Sequence, residues 1–200
     1  MSGSDPKVFC VGFHRTGTSS LRAALEILGY RVCGSVATED PDVAARVHEI
    51  AFGLLDDYDA FEDNPWPVLW RELDARRPGS RFILTIRPAS AWVRSVVRFF
   101  GEKTTPMREW IYGAGSPVGS EDLYRARFER HNQEVVEYFR DRPGDLLVLR
   151  ITEGEGWPEL CSFLGRPLPE EPFPHLVPSR VPASGPPPSR LARLRRRIRG

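Results

Sequence analysis

One loop between a predicted strand and a predicted helix constrains the fold of this chain more than any other segment. Residues 7–11 form a short, largely apolar run that indicates a buried strand, and the loop GFHRTGTS at residues 12–19 follows directly. Apolar residues then recur at helical spacing, which predicts a helix over residues 19–28 that ends at Gly29. A strand, a glycine loop and a helix N-terminus in this order surround an anion with backbone N–H groups. The sequence therefore predicts an anion site after the first strand.

The loop has the glycine spacing of a nucleotide-binding loop but lacks its lysine. A Walker A loop carries lysine after the second glycine, where it reaches the terminal phosphates of a nucleoside triphosphate, and Thr18 stands at that position here. The loop instead holds a permanently charged cation, Arg15, and His14 as a further candidate contact of donor or acceptor. Its hydroxyl side chains are Thr16, Thr18, Ser19 and Ser20. These groups can bind a phosphate-linked ester without a metal ion; the alternative is a glycine turn that only packs strand against helix.

A second candidate anion contact lies at the end of the clearest predicted strand. Arg87 follows the apolar run RFILTI at residues 81–86, and ligands of open α/β sheets bind at the carboxyl ends of strands. Ser95 comes eight residues later, about two turns into a helix predicted over residues 88–100. This arginine and hydroxyl could hold a second phosphate. The alternative is an arginine that starts a helix and a serine that faces solvent.

Short apolar runs alternate with helical patterns along the chain, which favours a mainly parallel sheet of four to five strands flanked by helices. Strands are predicted at residues 7–11, 59–62, 81–86 and 145–150. Helices are predicted at residues 19–28, 40–52 (with Asp40 as N-cap), 66–76, 88–100, 121–141 and 157–164. Residues 101–119 are predicted to be mostly loop, with one helical turn around Trp110. We expect one α/β domain at residues 1–178 and a tail at residues 179–200.

Composition excludes several classes of protein. With 200 residues and 40% hydrophobic side chains, the chain can form one packed core, so a disordered or collagen-like protein is excluded. The three cysteines, Cys10, Cys33 and Cys161, are odd in number and widely spaced, which argues against a disulfide framework and a zinc site. We expect no metal. No segment has the length of a membrane span or the pattern of an export signal, so a cytoplasmic location is predicted.

Charge is divided unequally between the predicted domain and the tail. Residues 179–200 contain seven arginines and no acidic residue, whereas residues 1–178 carry a net charge of −6. The proline-rich stretch at residues 182–188 separates most of these arginines from the predicted core. We expect the tail to be an appendage that contacts an acidic partner and not nucleic acid; the alternative is a lid over the anion site.

The two motifs together resemble those of a known enzyme family. FHRTGTSSL resembles the 5′-phosphosulfate loop, and LTIRPASAWVRS the 3′-phosphate motif, of sulfotransferases that use 3′-phosphoadenosine-5′-phosphosulfate (PAPS). The similarity extends to EDNPWP, EGEGWPELCSFLG and PFPHL, and so covers residues 7–177. The resemblance implies a three-layer α/β fold of P-loop type, sulfuryl transfer from PAPS without a metal, and adenosine 3′,5′-bisphosphate (PAP) as the product.

The resemblance also implies roles for individual residues. Arg15 matches the basic residue that contacts the bridging oxygen and the transferred sulfuryl group. The positions that hold the 5′-phosphate are matched by Thr16, Gly17, Thr18 and Ser19. Arg87 and Ser95 match the ligands of the 3′-phosphate. Asp63 matches the base that activates the acceptor; Glu62 is the adjacent competitor, and N-capping of the following helix is the alternative for Asp63.

The sequence departs from the cytosolic members of this family in two ways. Ser20 stands where those enzymes have an aromatic residue stacked on adenine, and their C-terminal 3′-phosphate motif is absent. The acceptor is expected to be a small molecule or a glycan, in a site that is either open or completed by homodimerisation. Two other functions stay open from the residues alone: a nucleotide or small-molecule kinase, and a non-catalytic module that binds PAP or another nucleotide.

Overall fold

The computed structural model describes residues 6–176, which form a three-layer α/β fold around one parallel sheet. The five strands lie in the order β2-β3-β1-β4-β5, and every neighbouring pair is parallel. Their bounds are β1 Val8–Cys10, β2 Val32–Cys33, β3 Ala60–Phe61, β4 Arg81–Thr85 and β5 Leu146–Leu149. The helices are α1 Thr18–Ile27, α2 Val43–Phe52, α3 Trp70–Arg76, α4 Ala89–Phe100, α5 Pro106–Tyr112, α6 Glu121–Tyr138 and α7 Trp157–Leu164. The predicted fold class is confirmed.

Each face of the sheet is buried under its own group of helices. Successive strand residues point to opposite faces, so Phe9 and Phe82 join one hydrophobic cluster while Val8 and Ile83 join the other. The first cluster contains buried residues of α2, α3, α4, α5 and α6, and the second those of α1 and α7. A strand covered on both faces has no polar side, which explains why β4 is buried at four consecutive positions and has three apolar residues in a row, at positions 82–84, without alternation.

The sheet brings the segments that follow β1, β3 and β4 to one edge. β1 is central and pairs with β3 on one side and β4 on the other. Carboxyl ends of parallel strands share an edge, so the loop after β1, the turn after β3 and Arg87 after β4 lie side by side. The described chain begins at the other edge, where the Lys7 backbone N–H donates to Ser80 Oγ at 2.9 Å.

Most predicted elements are confirmed, and the differences are local. The two-residue strand β2 was not predicted, and the predicted single turn around Trp110 is the seven-residue helix α5, capped by the Thr105 side chain. The predicted N-cap, Asp40, lies outside α2: its carboxylate accepts the Asp42 backbone N–H and pairs with Arg46, so that the helix begins at Val43. The helix predicted over residues 66–76 is a 3-10 turn, Trp66–Val68, followed by α3.

The predicted domain boundary at residue 178 and the predicted tail at residues 179–200 lie outside the described residues. Between residues 6 and 176, no helix combines the length and the apolar composition that a membrane span needs. The three cysteines are buried and form no disulfide.

Candidate active site

Glycine is required at both ends of the loop after β1. A Cβ atom on Gly12 would lie 2.5 Å from the carbonyl oxygen and 2.7 Å from the backbone nitrogen of Thr85, so β4 approaches too closely for any side chain. Gly17 has φ 107°, and a Cβ there would lie 2.9 Å from Cβ of Ile151. These two positions let the chain turn sharply out of the sheet and start α1 at Thr18.

The backbone of this loop presents unpaired donors. Within the described chain, no hydrogen bond uses the backbone N–H groups of residues 15–20, and the first one after them runs from Leu21 N–H to the Gly17 carbonyl at 3.0 Å. The first N–H groups of a helix have no partner within the helix. Here they continue into a turn whose N–H groups are also free, which is the arrangement that binds phosphate or sulfate oxygens.

Arg15 holds its guanidinium at the mouth of the loop. Its backbone is left-handed, with φ 66°, and its side chain lies over the Phe99 ring, 4.2 Å from the ring centre. Nε donates to Ser95 Oγ at 3.2 Å, while the buried Nη1 has no partner. Burial and the nearby positive charge of Arg87 lower the pKa of Arg15.

Arg87 joins Arg15 and Ser95 in one cluster. Its Nη1 donates to the Arg15 carbonyl at 3.0 Å, and its buried Nε has no partner. Burial and the charge of Arg94 lower the pKa of Arg87. Among residues 6–176 no carboxylate pairs with Arg15 or Arg87, so two neighbouring cations with unused donors lie beside the free backbone N–H groups. Such a cluster is stabilised by an anion that accepts from both.

The four loop hydroxyls have different surroundings. Thr16 is fully buried and ties the loop to β4: its hydroxyl donates to the Phe13 carbonyl and shares a 2.6 Å hydrogen bond with Thr85 Oγ1. Ser20 Oγ accepts the Leu176 backbone N–H at 2.9 Å. Thr18 faces the Glu62 carboxylate, whereas Ser19 is half-buried at the loop surface. Three of the four predicted hydroxyls, those of Thr16, Thr18 and Ser20, thus have partners inside the protein.

The His14 ring lies in a buried polar network and not at the loop surface. Nδ1 is 3.3 Å from Asn64 Nδ2, and Nε2 is 3.3 Å from Tyr112 Oη. Burial, followed by the charges of Arg108 and Arg15, lowers the pKa of His14 to about 3. A neutral ring with its proton on Nε2 satisfies both contacts, so His14 connects the loop, the turn after β3 and α5.

Two carboxylates follow β3 and differ in their access to solvent. Glu62 is only 4% exposed and lies between Thr18 and Arg22. Asp63 is half-buried, adopts the left-handed region with φ 66°, and accepts the Asn64 backbone N–H at Oδ1 at 2.7 Å. Burial raises the pKa of both, and the charge of Asp63 raises that of Glu62 further. Asp63 is therefore the more exposed residue of the two.

Sequence reasoning missed Arg22, a cation beside both carboxylates. Its positive charge lowers the pKa of Glu62 and of Asp63, against the effect of burial. Arg22 also pairs with Glu26 at 3.1 Å and lies against Gly34. One signal was available: Arg22 is four residues after Thr18, and residues at that spacing share one face of a helix.

The chain matches a family model described as a sulfotransferase domain over residues 7–118 and 105–179. It is also similar to the Ava biosynthesis cluster protein M of Aspergillus versicolor, with 26% identity over 213 residues that cover 86% of this chain and 81% of that protein. The loop after β1, the cluster at the end of β4 and the carboxylates after β3 all lie within the matched region. The chain belongs to the sulfotransferase domain family.

Proposed function

We propose that the protein transfers a sulfuryl group from PAPS to a hydroxyl or an amine and releases PAP. The observation that carries this proposal is the row of unpaired backbone N–H groups at residues 15–20 beside the unpaired donors of Arg15 and Arg87. Two neighbouring arginines suit a ligand with two separate anionic groups. PAPS is such a ligand, because it carries a 5′-phosphosulfate and a separate 3′-phosphate. The match to a sulfotransferase domain supports the same reaction.

The donor's 5′-phosphosulfate is assigned to the loop. The backbone N–H groups of Thr16, Gly17, Thr18 and Ser19 would hold the 5′-phosphate, and the Ser19 hydroxyl would add a contact. The buried hydroxyls of Thr16 and Ser20 hold the loop in shape, since both are already hydrogen-bonded. His14 would act in the same indirect way, through Asn64 and Tyr112.

The 3′-phosphate is assigned to Arg87 and Ser95. Arg87 keeps Nε unused while Nη1 fixes it to the Arg15 carbonyl, so its orientation is set before a ligand binds. Ser95 already accepts from Arg15 Nε and can donate its hydroxyl hydrogen to a phosphate oxygen. One cluster would thus contact both anionic parts of the donor.

Transfer is proposed to be in line, with Asp63 as the base. The Asp63 carboxylate takes the proton of the acceptor hydroxyl or amine, whose oxygen or nitrogen forms a bond to sulfur. The bond between sulfur and the bridging oxygen breaks, and its electron pair stays on the 5′-phosphate of PAP. Arg15 and the loop N–H groups stabilise that negative charge. A raised pKa makes the Asp63 carboxylate a stronger base than an exposed aspartate.

The remaining expectations stand as proposals. We assign no metal to the reaction, because the cations that neutralise the donor are arginines. The acceptor is a small molecule or a glycan, and the location is cytoplasmic. Homodimerisation is retained as a way to complete the acceptor site.

The test is turnover of PAPS by the wild type and by Arg15→Ala, measured as PAP release with a panel of phenols, alcohols, sugars and amines. Loss of a preorganised electrostatic donor lowers the rate by about 10²- to 10³-fold. Arg130→Ala, which removes an exposed arginine of α6, is the matched control and should keep full activity. Wild-type activity in Arg15→Ala would refute the role of Arg15. Magnesium-dependent ATP turnover by the wild type would favour a kinase, and PAP binding without transfer would favour a binding module.

A further inference from the structure

Two exposed arginines flank the residues of α4 that contact Arg15. Ser95 accepts from Arg15, and the Phe99 ring lies under its guanidinium. Arg94 and Arg98 each precede one of these residues and are both exposed. Residues four apart on a helix are neighbours on one face. A stripe of two arginines therefore runs beside the stripe that forms the anion cluster.

The stripe has no ion-pair partner in the part of the chain that the structure describes. Between residues 6 and 176, neither Arg94 nor Arg98 forms an ion pair, and the first turn of α4 has no acidic residue. Elsewhere exposed cations are commonly paired, as Lys103 is with Glu39 at 2.9 Å and Arg31 with Asp59 at 2.9 Å. Arg98 lies in the last turn of α4, where a cation stabilises the helix dipole, but Arg94 is in the middle and has no such role.

The net charge around the stripe and the position of Arg87 determine what Arg94 and Arg98 do to an approaching anion. Residues 1–178 carry a net charge of −6, so, apart from the seven arginines after them, the average charge of the chain opposes the approach of a polyanion such as PAPS. The charge of Arg94 reaches Arg87, whose pKa is lowered first by burial and then by Arg94. The positive potential thus continues from the surface of α4 to the cluster that would hold the 3′-phosphate.

We propose that Arg94 and Arg98 form an electrostatic guide that draws the anionic donor into the cleft, raising its association rate without contacting it once bound. The proposal rests on the proposed function. Uncompensated charges beside a binding cleft raise association rates by about 10- to 10³-fold in strongly steered systems. Charges at the rim of a site act mainly on the association rate and on its salt dependence. Because the stripe is exposed and small, we expect the lower end of that range.

The experiment measures PAP binding by stopped-flow fluorescence at low and high salt. The test variant is Arg94→Glu/Arg98→Glu. The matched control, Arg140→Glu/Arg166→Glu, makes the same change of charge at the opposite edge of the sheet: Arg140 follows α6, and Arg166 contacts Tyr30 after α1. We expect the test variant to lower the association rate constant about 3- to 10-fold at about 0.02 M salt and less than twofold at about 0.5 M, where screening is strong. The dissociation rate constant and kcat should not change, and the control should behave as the wild type.

Three results would overturn the guide. A faster dissociation at an unchanged association rate would mean direct contact with the donor. A higher KM for the acceptor alone would mean that the stripe serves the acceptor. Equal kinetics in the test variant and the wild type would mean that the stripe has no role in donor binding. Absence of PAP binding by the wild type would instead contradict the proposed function. The two failures are therefore distinguishable, because the guide is tested only by comparing variants of a protein that binds PAP.

Discussion

Removing the Arg87 side chain should cost the protein its affinity for a 3′-phosphate and little else. The guanidinium has five N–H donors, of which one on Nη1 is used by the Arg15 carbonyl and Nε has no partner in the protein. Hydrogen bonds to a charged group contribute about 1.5–3 kcal/mol each. Since Arg87 is only half-buried, solvent screening reduces their sum, and we take about 1.5–2.5 kcal/mol for its whole interaction with the phosphate. This corresponds to about a 10- to 60-fold change in Kd.

The assay is a cycle of two proteins and two ligands in isothermal titration calorimetry. Wild type and Arg87→Ala are each titrated with PAP and with adenosine 5′-monophosphate, which lacks the 3′-phosphate. We expect Arg87→Ala to weaken the binding of PAP about 10- to 60-fold and the binding of the monophosphate less than about threefold. The usual scatter of such measurements is a few tenths of a kcal/mol.

The monophosphate is also the control for the shape of the loop. Arg87 supports the Arg15 carbonyl, so its removal could disturb the 5′-phosphate site as well. Equal weakening of both ligands would refute the assignment of the 3′-phosphate to Arg87 and would make this arginine a support of the loop.

Four further predictions concern the base, the loop, a buried acid and the tail. Asp63→Asn should lower kcat by about 10²- to 10⁴-fold and leave Kd for PAP unchanged, and lost PAP binding would make Asp63 structural. Gly12→Ala should destabilise the fold in urea by about 3 kcal/mol through overlap with the β4 backbone, whereas Gly29→Ala, with φ 87° and no atom within 4 Å of its Cβ, should cost about 1 kcal/mol; equal costs would contradict this. Burial raises the folded-state pKa of Glu62 well above the ordinary value of 4.5, so the wild type should lose stability relative to Glu62→Gln as pH rises above 4.5; a stability difference that stays constant with pH would refute this. Deletion of residues 189–200 should leave Kd for PAPS unchanged in calorimetry, and a large loss of affinity would show that the tail is a donor lid.

Much of the fold could be predicted because its signals are local. After α1, Gly29 adopts φ 87° and the Tyr30 backbone N–H donates to the Leu25 carbonyl at 3.0 Å. The glycine itself predicts this helix end from the sequence. α5 had a local signal too, Thr105 before Pro106 at the first helical position, but seven residues are too few for a clear apolar period. β2 has two residues and becomes a strand only by pairing with β3, so no local pattern marks it.

The candidate site was predictable as a set of positions but not as a set of contacts. The spacing of Gly12 and Gly17 marks the loop, because close approach and a left-handed backbone both require glycine. The internal partners of the loop hydroxyls could not be predicted, since Thr16 bonds to Thr85 and Ser20 to Leu176, far along the chain. Such pairings depend on which elements the sheet order brings together.

The hydrogen bonds of Ser20 with Leu176 and of Lys7 with Ser80 hold the two ends of the described chain at opposite ends of the sheet. The first bond fixes the last described residue to the first turn of α1, beside the anion cluster, whereas Lys7 is fixed to Ser80 at the far edge of the sheet. Residue 176 therefore lies beside the cleft, and residue 7 lies away from it. Immobilisation through the amino-terminal side keeps the cleft facing the solution, and that is the orientation for sensors and supported catalysts.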